Sequence, residues 1–326
     1  MEDINKILNS IEPQLRDELL RMFAAANKSV TVAEIEELVA QGHVDEAIRR
    51  VLPQAELFTS SWVSAYVFAA TETGVVISRE IPVEVIFDQV NIRAVLAMQN
   101  NKLRLIQGLT QKQREATREA LLNGIRRGLN PREVARDVRA SVGLTASQVR
   151  AINNYRRALE EGDSVSLRRQ LRDRRFDPTV ARAIRTGEPL PKAYIDKLVD
   201  RYTQRQLKYR AELIARTEAL RAVHEGHDEM FRQAIADGHI AAEDLEGTWN
   251  TAADARVRDS HITMQGQTQP YGTPFVSGAG NLLRYPGDPL APVEEVAQCR
   301  CVRSFRIKTP LHGNFSLGNT LNTLTP

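Results

Sequence analysis

Residues 249–266 read WNTAADARVRDSHITMQG, and residues 298–303 close the same stretch with QCRCVR. Between them lies a Gly- and Pro-rich run that ends in YPGDP at 285–289. Such punctuation leaves no room for a sustained helical period, so the stretch reads as a small module of hairpin-like turns. The unusual chemistry of the chain is concentrated here. Both cysteines, Cys299 and Cys301, sit in one Cys-Arg-Cys tripeptide, with His261, Asp254, Asp259 and Asp288 upstream. Working outward, most of the chain before Trp249 has helical spacing, and the end beyond Arg306 is rich in Thr, Asn, Leu and Gly without periodicity.

A chain of 326 residues suits two domains and a tail better than one domain. Its hydrophobic content of 42% is enough to bury a core and excludes global disorder. Aromatics are few while Ala, Leu, Arg and Glu are plentiful, which favours helix over sheet. The 44 basic and 41 acidic residues nearly cancel, so only local clustering can argue for a nucleic-acid surface. Two cysteines one residue apart cannot build a disulfide framework; they point to a reducing compartment or to metal ligation. The acidic start, MEDINK, lacks the apolar core of a signal peptide. The longest apolar run, at 62–70, is too short to span a bilayer, so a soluble protein with no membrane partner is expected.

The first half carries clear helix punctuation. Ile4, Leu8, Ile11, Leu15, Leu19 and Phe23 recur at three- and four-residue spacing, which predicts an amphipathic helix. Thr31 and Glu34 form a capping-box pattern for a second helix that Gly42 stops, and Asp45–Val51 predicts a third. An apolar helix is expected over 54–72. Residues 73–87 hold β-branched runs and Pro82, which predicts either an extended arm suited to docking on a neighbour or an irregular linker. Helices then resume: one closes at Gly128, the next opens at Asn130-Pro131 and runs towards Gly143, and another opens at Thr145. A turn at 186–191 precedes one or two long helices from Ala193 to Gly238.

Arginines crowd residues 150–186, with Arg168, Arg169, Arg172, Arg174 and Arg175 the densest group. Interleaved acids such as Asp173 and Asp177 support a solvated face laced with ion pairs. The competing reading is a phosphate-contacting surface, blind to sequence because nothing here reads bases.

One ordered set of motifs resembles a known family. Ala215-Arg216-Thr217-Glu218 lies on the long helix, followed by Trp249, Thr251, Asp254, Val257, Arg258 and His261 in a W-x-T-x-x-D-x-x-V-R-x-x-H pattern. Gly266 comes next, then the Pro-Gly-Asp-Pro turn carrying Asp288, then Cys299-Arg300-Cys301. This set is similar to the C-terminal domain of the phage Mu F-like minor head proteins of tailed phages. Some family members carry V-C-x-x-C and H-P-x-C-R-C patterns; this chain has Arg258 within Val-Arg-Asp-Ser-His and no His before its Cys-Arg-Cys. The resemblance implies a virion structural protein in head morphogenesis, inside the capsid near the portal vertex and in the host cytoplasm during assembly. It implies the portal as partner, with major capsid or scaffolding protein and double-stranded DNA as further contacts, and several copies on a symmetric ring.

The expected fold is mainly α: a helical region over 1–190, a small α+β module over 191–306 and an extended, flexible tail over 307–326. Within the module two readings of the cysteines stand. His261, Cys299 and Cys301 supply three zinc-type donors, with Asp254, Asp259 or Asp288 as a fourth. Alternatively, Trp249, Asp254, Arg258 and His261 form a hydrogen-bonded polar core, joined by Arg216 and Glu218, with the cysteines as small reduced core residues. The sequence favours the second, so no cofactor is expected. No converging acid, base and nucleophile appear, and His224-Glu-Gly-His227 lacks the spacing of a metalloprotease helix. The rivals to a structural role are a metal-dependent nuclease built on His261 and the Cys-Arg-Cys motif, and a generic DNA-binding adaptor.

Overall fold

The computed structural model describes residues 2–52 and 54–308. It is mainly α, with a small antiparallel sheet near its C-terminal end. Helix α1 (Glu2–Lys28) buries Ile4, Ile11, Leu15, Leu19 and Phe23 of the expected stripe, with Ile7 buried as well and Leu8 only half-buried against the core. At the start of α2 (Val32–Ala40), Glu34 N–H donates to Thr31 Oγ1 and Thr31 N–H donates to Glu34 Oε2, completing the capping box. The short α3 (Val44–Arg50) follows.

The next element departs from expectation. Helix α4 runs from Glu56 to Glu80, straight through the β-branched Gly74-Val-Val-Ile77 that predicts an extended chain. Burial overrides propensity here: Ile77 packs into the core, and a Cβ on Gly74 would lie 2.7 Å from the Val85 carbonyl oxygen. Of residues 73–87, only 81–87 leave the helix, and Ile81, Val85 and Phe87 fold back onto the same core. The Gln233 side chain holds the end of this segment, accepting from Asp88 N–H at 2.9 Å and donating to Asp88 O at 3.1 Å.

Helix α5 (Ile92–Arg126) is longer than its Thr110–Gly128 signals imply. Asn130 caps α6 (Pro131–Ala140), Thr145 and Gln148 cap α7 (Ala146–Glu160), and Gly187 terminates α8 (Asp177–Thr186) in the left-handed region at φ 71°. Helix α9 (Lys192–Ala236) is a single rod of 45 residues, about 68 Å long at 1.5 Å per residue. It packs along α4 and α1. Gly226 makes the crossing possible, because a Cβ there would stand 2.4 Å from the Tyr66 carbonyl oxygen.

The largest core cluster joins residues from Ile4 to Val302 and so spans both sides of residue 190. Trp62 stacks on Tyr66 at 5.8 Å and Phe87 meets Tyr66 edge-on at 6.1 Å. A second cluster lies among α2, α5 and α6, and a third among α7, α8 and the first half of α9.

After α9 the chain enters a three-stranded sheet. β1 (Leu245–Asn250) is central, between β2 (Thr268–Pro270) and β5 (Val302–Ile307), with Trp249 opposite Arg303. Between β1 and β5 lie α10 (Asp259–Ile262), the hairpin of β3 (Phe275–Val276) and β4 (Leu282–Leu283), and α11 (Val293–Val296). Ile307 belongs to β5, and Lys308 N–H donates to Asp244 O at 2.7 Å. The tail expected beyond it lies outside the described residues.

Candidate functional site

The β1–β5 module brings one set of expected residues together and disperses another. His261 on α10, Cys299 after α11 and Cys301 before β5 meet in the interior, none more than 3% exposed. His261 Nδ1 lies 3.6 Å from Cys299 Sγ and 3.4 Å from Cys301 Sγ, and Cys301 N–H donates to Cys299 Sγ at 3.4 Å. The far side of the ring faces Glu295, with Nε2 3.0 Å from Oε2, inside ion-pair distance but not aligned as a hydrogen bond. Trp249 is fully buried and covers the imidazole edge-on at 5.3 Å, with Phe275 against its other side at 5.4 Å.

Glu295 is the residue that sequence reasoning missed. It is 3% exposed and accepts from Ser260 Oγ, Ser277 Oγ and Asn281 Nδ2 at 2.8–2.9 Å. Burial alone would raise its carboxyl, but the bonds from Asn281, Ser260 and Ser277 outweigh it and hold the group below its ordinary value. Nothing in the spacing of Val-Glu-Glu-Val marks one of its two acids as buried. The Cys299 thiol is held well below its usual value, first by Cys301 and then by His261.

The other motif residues have separate duties. Asp254 lies at the surface between Arg300 and Arg256, which keep its carboxyl well below the usual range, Arg300 most of all. Arg258 donates to the carbonyls of Glu294 and Ala297 and so ties α10 to α11. Gly266, at φ 75°, turns the chain so that its N–H reaches Trp249 O at 2.9 Å. Asp288, 2% exposed, closes the Pro-Gly-Asp-Pro turn by accepting from the Arg284 side chain and from the Arg284 and Leu290 N–H groups. The expected network linking Trp249, Asp254, Arg258 and His261 with Arg216 and Glu218 is therefore several smaller ones.

Arg216 pairs with Glu12 of α1 at 3.0 Å. Buried Glu218 takes a two-pronged bond from Arg104 of α5 at 2.7 and 3.2 Å, and a third from Arg221 at 2.8 Å. Arg221 also donates to Gly287 O at 3.1 Å, so it, rather than Arg216, joins the long helix to the module. Beside it, Glu225 faces Asn101; burial pushes it up to about 7 against the pull of Arg221 and Arg104. Arg303 reaches Asp228 of α9 at 2.9 Å while covering Phe305 and Tyr285. His224 and His227 are buried in α9, and burial depresses His227 to about 3 and His224 well below its ordinary value.

The arginine group divides. Asp173, 4% exposed, holds Arg175 at 2.6 Å, Arg205 at 3.3 Å and Arg201 at 3.4 Å, and Arg175 first and then Arg205 keep its carboxyl well below the ordinary range. Arg172 forms two bonds to Asp177 at 2.8 and 2.9 Å, and Arg169 has its Nε buried without a partner. Arg168 and Arg174 are exposed and pair with no carboxylate among the described residues. Phe176 lies beneath Lys197 and Arg201, each 5.3 Å from its ring centre.

With this geometry in place, comparison with known proteins gives one result: residues 174–304 match the family described as Phage Mu protein F like protein. Those residues are similar to the phage Mu F-like domain. The domain begins at the Arg174–Phe176 turn and takes in all of α9, so it is larger than the β1–β5 module. No curated protein and no solved structure matches the chain. Among the described residues, no helix is long and apolar enough to cross a membrane.

Proposed function

We propose that this chain is a virion structural protein, a minor head protein acting in head morphogenesis at the portal vertex. The observation that carries this reading is the Mu F-like match over residues 174–304. The surface suits it: Ile86, Val90 and Ile92 are 73%, 82% and 69% exposed around the start of α5, and Leu96 and Leu103 extend the apolar surface along that helix. A cluster of this kind is better fitted to docking than to solvent. Its partner in this reading is a ring-forming portal carrying several copies of the chain, with capsid or scaffolding protein and packaged double-stranded DNA as further contacts. The protein then resides in the capsid interior and performs no turnover.

The test is co-expression with a portal protein from the same genome. The two should co-purify, and Ile86→Asp combined with Ile92→Asp should reduce recovery at least about tenfold, equivalent to about 1.4 kcal/mol. Full recovery with that double variant removes the docking surface from the reading; no complex with the unaltered chain removes the portal.

DNA contact has its own measure. Arg168 and Arg174 are the exposed members of the group that pair with no carboxylate among the described residues, so Arg168→Glu with Arg174→Glu should weaken binding equally on all sequences. The slope of log K against log salt should fall by roughly 2. A nuclease built on His261 finds no support in the geometry: the imidazole is 1% exposed and the cavity beside it has a volume of only about 10 Å³.

A further inference from the structure

We propose that His261 Nδ1, Cys299 Sγ and Cys301 Sγ bind one zinc ion that clips α10 to the start of β5, with a water molecule in the fourth position. The donors come from two segments, His261 standing 38 and 40 residues before the two cysteines of one tripeptide, yet all lie within 4.8 Å of one another in the buried interior. Their spacing is that of a coordination sphere. A tetrahedral ion with Zn–N near 2.05 Å and Zn–S near 2.3 Å sets its N and S ligands about 3.6 Å apart; the observed separations are 3.6 and 3.4 Å. Two sulfurs and an imidazole suit zinc and exclude the hard cations magnesium and calcium.

The surroundings fit the same ion. Glu295 stands 3.0 Å from Nε2 and is itself fixed by Ser260, Ser277 and Asn281, so the ring proton belongs on Nε2 and Nδ1 is left as the donor. The backbone N–H of Cys301 is directed at Cys299 Sγ, as a thiolate acceptor requires. The neighbouring cavity, lined in part by Ala252, Val257 and Gln298, has a volume of about 10 Å³, roughly enough for one water. Among the described residues no fourth His, Cys, Asp or Glu joins the cluster, and Asp254 is engaged by Arg300 and Arg256. On binding, each thiol releases its proton to solvent and no redox step is involved. The three protein donors are themselves buried, so an ion held by them would fix α10 against the start of β5. Such a site stands independently of the virion role.

The test uses the full chain purified without chelator. Elemental analysis should find about one zinc per chain, and Cys299→Ser with Cys301→Ser should lower that at least tenfold. Exchange for cobalt should give the thiolate charge-transfer band and the strong visible bands of a tetrahedral ion. Glu295→Gln should keep that spectrum while weakening zinc binding about 10- to 100-fold. If the double serine variant does not fold, the cobalt spectrum of the unaltered chain decides. Absence of both zinc and the cobalt bands, or zinc retained by a folded double variant, overturns the proposal.

Discussion

In the helical body, Phe23, Phe58, Trp62 and Tyr66 are fully buried where the apolar faces of α1, α4 and α9 meet. In the β1–β5 module the buried side chains include His261, Asp288, Glu295 and Arg303 among a smaller apolar set of Leu245, Trp249, Met264, Phe275, Leu283, Tyr285, Val296 and Val302. The body can therefore be held by the non-directional removal of apolar surface from water, which tolerates exchange of one apolar group for another. The module relies on directional bonds, and removing one partner there strands another buried polar group. The difference also explains why the body reads as periodic sequence while the module reads as a set of fixed letters.

The largest effect expected from this contrast is at Glu295. Replacing it with Ala leaves Ser260, Ser277 and Asn281 without their common acceptor and His261 without the carboxylate beside its Nε2, and should cost about 3–5 kcal/mol. Hydrogen exchange should show the loss confined to residues 245–307. A cost under about 1 kcal/mol in denaturant titration would mean that the module is held by its apolar side chains after all.

Within the body, a helix crossing should be the vulnerable point. Gly226→Ala drives a methyl against the Tyr66 carbonyl, a backbone atom that cannot turn aside, and should cost about 1–3 kcal/mol. Gly108 of α5 has nothing within 4 Å of its Cβ position, so Gly108→Ala should stabilise by about 0.5–1 kcal/mol. Equal responses at the two glycines, measured as shifts in denaturant midpoint, would remove the crossing as a constraint.

The smallest effect concerns pH at the junction of body and module. Glu225 has its folded pKa raised to about 7, so between the ordinary carboxylate value of 4.5 and 7 the folded state holds the extra proton. Its contribution to stability therefore falls as pH rises through that window. His227 works oppositely: depressed from 6.5 to about 3, it is neutral when folded and protonated when unfolded, so stability rises with pH across that range. His224 is depressed in the same direction. The two histidines outweigh one glutamate between pH 4.5 and 6.5, and net stability should rise with pH there. Glu225→Gln should make the rise steeper; an unchanged slope in melting curves would show that the Glu225 carboxyl is not the group that titrates.

Much of the fold was legible because its signals are local. The Thr31–Glu34 box, the Asn130-Pro131 and Thr145 starts, the turn at 186–191 and the Gly238 stop each act within a few residues of themselves, and the structure uses all of them. Local signals mislead at Gly74–Ile77, where β-preference meets a long helix that buries the same side chains. They are also incomplete for the polar residues. The motif letters mark His261, Cys299, Cys301 and Asp288, but neither Glu295 nor Arg221 announces its partner.

The sequence by itself determined the helical body, the place where regular helix ends, and the short stretch in which His261 and both cysteines lie. Periodicity, caps and turn residues encode these, since each depends on neighbours along the chain. Only the tertiary structure decided that α4 continues to Glu80, that Arg221 rather than Arg216 joins α9 to the Gly287 turn, and that Glu295 stands behind His261. Those outcomes depend on what lies across a packed interface, and a buried charge is settled by the partner that meets it there, which no spacing along the chain records.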